Sequence, residues 1–263
     1  MTADRPGAAR RSATVPRGDQ SAADVLRQRR AAWDERPLLR EVYRRLFAWI
    51  DRQLAPGPRT IELGGGAGHL LSHRPDIVVS DIVPSPYVAL VADAMALPFA
   101  AGSIDNLVMI DVLHHLPRPQ RFFAEAQRVL RPGGRVVMVE PYISPLSRAV
   151  FALAHPEPVD LHADPLPDGD APAFEATGPF SSNQAIPTLI FRRQPARFAA
   201  RFPRLAVRAA VRDCVLAYPL SGGFSGPRLV PRALQPLVWA GEWLLAPLKR
   251  WMAFRLLVTL ERV

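Results

Sequence analysis

Short apolar segments alternate with segments of helical periodicity between residues 58 and 141, and no other feature of the sequence constrains the fold as strongly. Four of the apolar segments have the length and composition of buried strands: 60–63, 77–80, 107–110 and 135–140. The last shows little alternation of polar and apolar residues, which is typical of a strand covered on both faces. Strands that alternate with helices at this spacing predict an α/β fold: a doubly wound, mostly parallel, Rossmann-like sheet with helices on both faces.

The turn after the first of these strands is rich in glycine. Residues 62–68 read ELGGGAG, an acidic residue followed by glycine at every second position. Glycine lets the backbone turn sharply and lets a ligand approach where a Cβ atom would collide. A dinucleotide pyrophosphate site would need a third glycine at 69 or 71, where the chain has His69 and Leu71. Because ligands of doubly wound sheets bind beyond the carboxyl ends of the strands, this turn is the first candidate site.

The pattern E-x-G-x-G-x-G resembles motif I of the class I S-adenosylmethionine-dependent methyltransferases. Further segments resemble that family in order and spacing, and together they are similar to its type 11 branch. These segments are Asp81, Asp93-Ala94, LPF at 97–99, VLHHL at 112–116 and LRPGGR at 130–135. The resemblance implies a seven-stranded sheet whose last strand is antiparallel. We place that strand in the final ten residues, paired with a strand that starts near residue 205.

One departure from the family pattern concerns the first crossover. Only about eight residues separate Gly68 from Ile77, so the helix predicted after the glycine turn is brief and ends at Pro75.

The resemblance implies S-adenosyl-L-methionine as the cofactor and assigns its contacts residue by residue. Glu62 and the glycines would meet the methionine moiety, Asp81 the ribose hydroxyls, and Asp93 with Ala94 the adenine. The cofactor-binding residues expected are Glu62, Gly64, Gly66, Gly68, Asp81, Asp93, Ala94 and Asp111.

Methyl transfer to a hydroxyl or an acidic C–H requires a base near the sulfonium. His114 is the first candidate catalytic residue, because an unperturbed imidazole titrates near neutrality, and Asp111 is the second. The alternative for His114 is a packing or backbone-bonding role, which paired histidines in this family often have.

The flanking segments predict the domain organisation. Residues 1–20 lack apolar periodicity and read as a disordered tail, 21–57 as a helical extension, and 58–263 as the methyltransferase domain. Within that domain, residues 142–182 are rich in proline and acidic residues and are predicted to form a lid-like insert above the cofactor. The histidines and carboxylates at 155–164 lie on no regular element that would fix metal-binding geometry, so we expect a solvated loop and no metal.

Trp239, Trp243 and Trp251 lie beside basic residues near the C-terminus. Such tryptophans most often belong to a core, and we expect that here. The alternative is peripheral contact with a lipid surface through residues 228–251.

Composition excludes several classes of protein. The apolar stretches are broken by proline and glutamate before they reach the ~20 residues of a membrane span. A single cysteine, Cys214, excludes an intramolecular disulfide framework and fits a cytoplasmic location. The net charge of +9 is concentrated at the C-terminal end, where thirteen basic residues face three acidic ones after residue 190.

We therefore predict a methyltransferase that acts on a small molecule. The alternatives are a lipid-linked acceptor at a membrane surface, a cofactor-binding domain without methyl transfer, and a nucleic-acid methyltransferase. For the last of these, the chain has no Asn/Asp-Pro-Pro-Tyr-type motif. The sequence predicts neither the acceptor nor the oligomeric state.

Overall fold

The computed structural model describes residues 22–154 and 157–263, and a seven-stranded sheet forms its centre. The strands, in chain order, are β1 (Thr60–Leu63), β2 (Val78–Asp81), β3 (Leu90–Val91), β4 (Ile104–Ile110), β5 (Leu130–Pro141), β6 (Leu205–Asp213) and β7 (Arg255–Arg262). Their order in the sheet is β3-β2-β1-β4-β5-β7-β6. Strands β1 to β5 pair in parallel, whereas β7 is antiparallel to both β5 and β6. The predicted fold class is confirmed, including the antiparallel last strand. The predicted tail, 1–20, lies outside the described residues.

Helices cover both faces of the sheet. They are α1 (Ala22–Glu35), α2 (Pro37–Gln53), α3 (Pro119–Val129), α4 (Pro145–Ala154), α5 (Ile186–Thr188), α6 (Pro195–Arg201), α7 (Ala217–Leu220), α8 (Gln235–Leu244) and α9 (Lys249–Met252). Proline begins α2, α3 and α6, where its fixed φ suits the first helical turn and its missing N–H costs nothing. In the segment 183–202, which has helical periodicity, Pro195 begins a new helix directly after Gln194.

The predicted brief helix after the glycine turn is wrong. The segment between β1 and β2 consists of turns, in which the N–H groups of His73 and Arg74 both bond to the carbonyl of Leu70. Gly68 has φ +67, a left-handed conformation that an α-helix does not contain, and Pro75 removes a donor at the other end. Gly68 and Pro75 thus restrict the segment at both ends, and the residues between them form successive turns instead of a helix.

Two apolar layers hold the helices to the sheet. On one face, Leu46, Phe47 and Ile50 of α2 belong to the same buried cluster as Val108 and Val137 of the central strands. The opposite face is covered by α3 and α6. That cluster contains Phe122, Phe123, Phe198, Leu107, Met109 and Met138. Successive residues of β4 therefore enter opposite layers, so the site at the end of this strand is built on a rigid support.

Charge pairing explains part of the uneven charge distribution. Asp164 of the acidic segment forms an ion pair with Arg197 of α6 at 2.6 Å, and Arg201 donates to the carbonyls of Leu166 and Pro167 at 2.7 Å. The basic C-terminal part is thus partly neutralised within the fold.

The expectation that the C-terminal tryptophans are core residues is wrong for two of the three. Trp239 is half-buried beneath Arg45, but Trp243 is 80% exposed and Trp251 54% exposed. Helix α8 packs through Val238 and Trp239, which leaves its opposite side facing outward. Throughout residues 22–154 and 157–263, none of the helices combines the length and apolar character needed to cross a bilayer.

Candidate functional site

A cavity of about 490 Å³ lies beyond the carboxyl ends of β1, β2 and β4. Six of the predicted site residues line it: Glu62, Gly64, Gly66, Asp81, Asp111 and His114. Gly68, Asp93 and Ala94 are not part of this lining. The carboxylate of Asp93 instead accepts the backbone N–H of Met95 at 2.8 Å, within its own turn.

The glycine turn is held against β2 by the carboxylate of Asp81. One oxygen of this carboxylate accepts the N–H of Gly66 at 2.9 Å, and the other accepts the N–H of Val83 at 2.8 Å. A Cβ atom on residue 66 would lie only 2.7 Å from the first oxygen. Gly66 is therefore required for the approach of Asp81, and each carboxylate oxygen keeps a second lone pair for a ligand.

Glu62 is buried at the edge of this cavity, with only 4% of its surface exposed. Burial raises the pKa of its carboxyl to about 8, and the nearby charge of Asp81 adds to the shift. Its Oε2 atom has no hydrogen-bond partner among the described residues. A buried polar atom without a partner is costly, so the site favours a ligand that brings a donor or a positive charge to this point.

Asp111, at the end of β4, forms a buried ion pair. Its Oδ1 lies 2.6 Å from Nη1 of Arg255, and its Oδ2 accepts the hydroxyl of Tyr43 at 3.0 Å. Burial raises the pKa of Asp111, but Arg255 outweighs this effect, so the net pKa is lowered and the carboxylate is ionised. Both oxygens are therefore engaged by the protein.

Arg255 was missed by reasoning from the sequence. It is 1% exposed, lines the cavity and lies over the ring of Tyr218 at 4.7 Å. The available signal was Arg255 itself, a charged residue directly before the mainly apolar segment LLVTL at 256–260. Such a residue is seldom buried without a partner.

His114 lies in the single 3-10 turn after β4 and is bound to Glu140 of β5. Its Nδ1 is 2.8 Å from Oε2 of Glu140, whose other oxygen accepts the N–H groups of Val112 and Leu113. Burial lowers the pKa of His114, but the neighbouring carboxylates of Glu140 and Glu157 raise it to about 10 overall. The side chain is therefore protonated at neutral pH, contrary to the near-neutral pKa for which it was chosen as a base. Its catalytic role stays a prediction.

Aromatic side chains form another wall of the cavity. His69 lies between Trp33, with ring centroids 4.4 Å apart, and Phe224, with centroids 5.1 Å apart. Burial lowers the pKa of His69 to about 3, so the ring is neutral. Tyr43 and Tyr218 also line the cavity. No spacing in the sequence links these aromatic residues, because they come from segments far apart in the chain.

Comparisons with known proteins identify the central segment. Residues 62–138 match the family model of the type 11 methyltransferase domain. A ubiquinone/menaquinone biosynthesis C-methyltransferase from Dinoroseobacter shibae is 35% identical over 117 residues, which are 36% of this chain and 46% of that protein. The chain spans about half or less of the length of the curated relatives it matches.

Solved structures share the fold. The geranyl diphosphate C-methyltransferase from Streptomyces coelicolor, in complex with Mg²⁺, geranyl-S-thiolodiphosphate and S-adenosyl-L-homocysteine, has a TM-score of 0.51 at 16% identity. This match covers 97% of the present chain and 84% of the other. A geranyl diphosphate methyltransferase in complex with S-adenosylmethionine has a TM-score of 0.50 at 17% identity, covering 96% and 94%.

Proposed function

We propose that the chain binds S-adenosyl-L-methionine and transfers its methyl group to a small-molecule acceptor. The match of residues 62–138 to the family model of the type 11 methyltransferase domain supports this proposal. The observation that carries this proposal is the buried carboxyl of Glu62, with an unpartnered oxygen, beside a glycine turn that no larger residue could form. When bound, the cofactor would supply an electrophilic methyl carbon on a sulfonium. The acceptor atom would bond to this carbon from the side opposite the sulfur as the C–S bond breaks and S-adenosylhomocysteine leaves.

The residues of the glycine turn fit such a cofactor. Glu62 offers a carboxyl oxygen to the positively charged amino-acid end, and Asp81 offers its remaining lone pairs to ribose hydroxyls. The contacts of Asp93 and Ala94 with adenine remain predictions, because neither residue lines the cavity.

The acceptor side of the cavity can exclude water. Phe151, Glu157 and Phe180 of the segment 142–182 line the cavity. We propose that this segment is the predicted lid, within a methyltransferase domain over 58–263. Removal of water strengthens the attraction between fixed charges and the reacting groups, and positioning then accounts for most of the rate.

Transfer of a labelled methyl group tests the proposed function. The protein is incubated with methyl-labelled S-adenosylmethionine and fractionated cell extract, beside a Gly66→Val variant as the control. We expect a labelled small-molecule product with the unaltered protein only. Tight cofactor binding without any labelled product would instead favour the alternative of a binding domain, and the absence of both would contradict the proposal.

The pH dependence of cofactor binding provides a second test. Glu62 has a pKa of about 8 in the free protein, so it is protonated at pH 7. A cationic ligand group favours the ionised carboxylate, so binding should release a proton below pH 8. Affinity should then rise with pH by at most about tenfold per unit before levelling off. Calorimetry in buffers of different ionisation enthalpy measures this release.

A Glu62→Gln variant is the matched control. The ligand's own amino group titrates in both proteins, so the difference in proton release between them isolates the contribution of Glu62.

The pKa of Glu62 also affects the stability of the free protein. The unfolded chain ionises this residue near its ordinary pKa of about 4.3, so the free protein loses stability as the pH rises from about 4.3 to about 8. Glu62→Gln should therefore be more stable than the unaltered protein at pH 8, by about 1–3 kcal/mol, while binding the cofactor less tightly. Equal proton release in both proteins would contradict this role.

A second candidate function is favoured by the surface around α8. The outward side of this helix is entirely apolar and consists of Pro236, Leu237, Ala240, Trp243 and Leu244. Basic residues lie beside it in the sequence: Arg228, Arg232, Arg250 and Lys249, of which Lys249 is paired with Asp213 at 2.5 Å. The only acidic residue in 228–251 is Glu242, which accepts three backbone N–H groups of residues 215–217.

We propose as the alternative that this surface binds an anionic membrane and that the acceptor is lipid-linked. The exposed Leu229 and the loop 222–227 join this surface to the cavity.

Vesicle binding tests the membrane alternative. We expect the protein to cosediment with phosphatidylcholine–phosphatidylglycerol vesicles at low salt, and a Trp243→Ala/Leu244→Ala variant to bind at least about tenfold more weakly, because two apolar side chains no longer enter the lipid. Val91→Ala, which alters an exposed apolar residue at the opposite edge of the sheet, should bind normally. No cosedimentation at low salt, or equal binding of all three proteins, would remove this alternative.

A further inference from the structure

Two histidines and a carboxylate converge on the acceptor side of the cavity. One ring nitrogen each of His114 and His115 and one oxygen of Glu157 lie within 4.8 Å of one another. The histidines belong to the 3-10 turn after β4, whereas Glu157 belongs to the acidic segment after α4. All three line the cavity, so a ligand bound between them would be accessible from it.

Hydrogen bonds orient both imidazoles. Nδ1 of His114 lies 2.8 Å from a carboxylate oxygen of Glu140, and Nδ1 of His115 lies 3.1 Å from the backbone carbonyl of Ser181. A carbonyl or carboxylate oxygen accepts a hydrogen bond, so each Nδ1 carries a proton and faces its acceptor. The atoms left for a metal ion are Nε2 of His115 and Nε2 of His114, and the ion would displace the proton that the latter carries at neutral pH. Histidines that bind metals almost always donate their second ring N–H to such a partner.

Glu157 lies at a distance from His114 that a shared metal ion could bridge. Its Oε2 lies 3.5 Å from Nε2 of His114, beyond the ~2.7–3.2 Å of an N–H···O hydrogen bond. Two ligands of a tetrahedral ion with bonds of about 2.1 Å lie about 3.4 Å apart. The same oxygen accepts the hydroxyl of Ser182 at 3.0 Å and the side-chain amide of Gln184. These bonds supply the fixed geometry that the sequence did not show for 155–164, and a metal ion at Oε2 would take the place of one of the two donors. His155 lies outside the described residues.

We propose that His114, His115 and Glu157 form a binding site for a divalent first-row transition-metal ion, of which Zn²⁺ is the probe of choice. Two imidazoles and one carboxylate suit such ions, whereas Mg²⁺ and Ca²⁺ prefer oxygen ligands throughout. Three protein ligands leave at least one coordination position free. Because this position lies in the cavity where the acceptor is proposed to bind, the ion would select acceptors with an oxygen, nitrogen or sulfur donor. That consequence rests on the proposed function, but metal binding does not.

Metal titration of the untagged, chelator-treated protein tests the site. We expect one equivalent of Zn²⁺ to bind in calorimetry, and one equivalent of Co²⁺ to give the visible absorption of a low-coordinate cobalt site. His115→Ala and Glu157→Gln should each weaken binding at least tenfold. Glu140→Gln removes the carboxylate that orients His114 without altering a proposed ligand, and it should weaken binding about tenfold or more. His73→Ala is the matched control, because His73 pairs with Asp51 outside the cavity lining and should leave metal binding unchanged.

The titration is made without S-adenosylmethionine, and cofactor binding is measured separately. Failure of the metal site and failure of the proposed function are therefore distinguishable. Thermal unfolding of each variant confirms that it is folded. If folded variants bind the metal as tightly as the unaltered protein, or if the unaltered protein binds no stoichiometric ion, the proposal is overturned.

Discussion

Replacing Arg255 by methionine is expected to destabilise the protein by about 3–5 kcal/mol. Methionine keeps much of the length of the side chain and its contact with Tyr218, but it leaves the carboxylate of Asp111 buried without its counter-ion. Asp111 also has φ +58, a conformation in which a non-glycine residue is strained. It is thus held by its partners rather than by its own backbone preference. Urea denaturation followed by circular dichroism measures the loss.

Two controls separate the buried charge from a general effect of losing arginine. Arg208→Met removes a half-exposed ion pair with Glu261 at the edge of the same sheet and should cost no more than about 1 kcal/mol. The double variant Asp111→Asn/Arg255→Met removes both buried charges and should recover part of the loss. If Arg255→Met were no more harmful than Arg208→Met, the buried pair would have no special role.

The second large effect is expected from Gly66→Val, which should weaken binding of S-adenosylmethionine at least about 100-fold, equivalent to about 3 kcal/mol. The new Cβ would lie 2.7 Å from the Asp81 oxygen that bonds to the N–H of residue 66. Asp81 would have to move away, so the turn and the carboxylate proposed for the ribose would be lost together. Calorimetric titration measures the change.

Gly178→Val is the matched control, because a Cβ at that position meets no atom within 4 Å. It should bind the cofactor normally. Asp81→Asn tests the same site without added bulk and should weaken binding about tenfold or more, since an amide cannot accept from both backbone N–H groups through two oxygens. Normal affinity in both Gly66→Val and Asp81→Asn would show that the cofactor binds elsewhere.

The sheet was predictable because its central strands are covered on both faces. The apolar segments at 107–110 and 135–140 lie within β4 and β5, and burial on both sides leaves no room for polar alternation. The two-residue strand β3 has no such pattern and was not predicted. The false helix between β1 and β2 arose because apolar spacing alone does not show that Gly68 takes a left-handed conformation.

The candidate site was predictable where its chemistry is local in sequence. Glu62, Gly66 and Asp81 belong to short motifs beside strands, and the structure brings them to one cavity. Arg255 and Glu157 reach the same cavity from distant segments, and no spacing in the sequence links them to it. The high pKa of His114 has the same origin, since it depends on carboxylates supplied by two other segments.

Composition alone does not predict which apolar residues of α8 are buried and which are exposed. Trp243 lies in an apolar segment that reads equally well as core or as an interfacial surface. The difference is set by which side of the helix meets the sheet, and Val238 and Trp239 occupy that side. An apolar helix with an uncovered apolar face is typical of a surface that binds a partner or a membrane.

A crystal structure of the protein with S-adenosyl-L-homocysteine would show where the cofactor binds. We expect electron density for the amino-acid end of this ligand beside Glu62 and residues 64–66, with the ribose at the carboxylate of Asp81. An empty cavity at saturating ligand, or density at a different place on the molecule, would contradict this expectation.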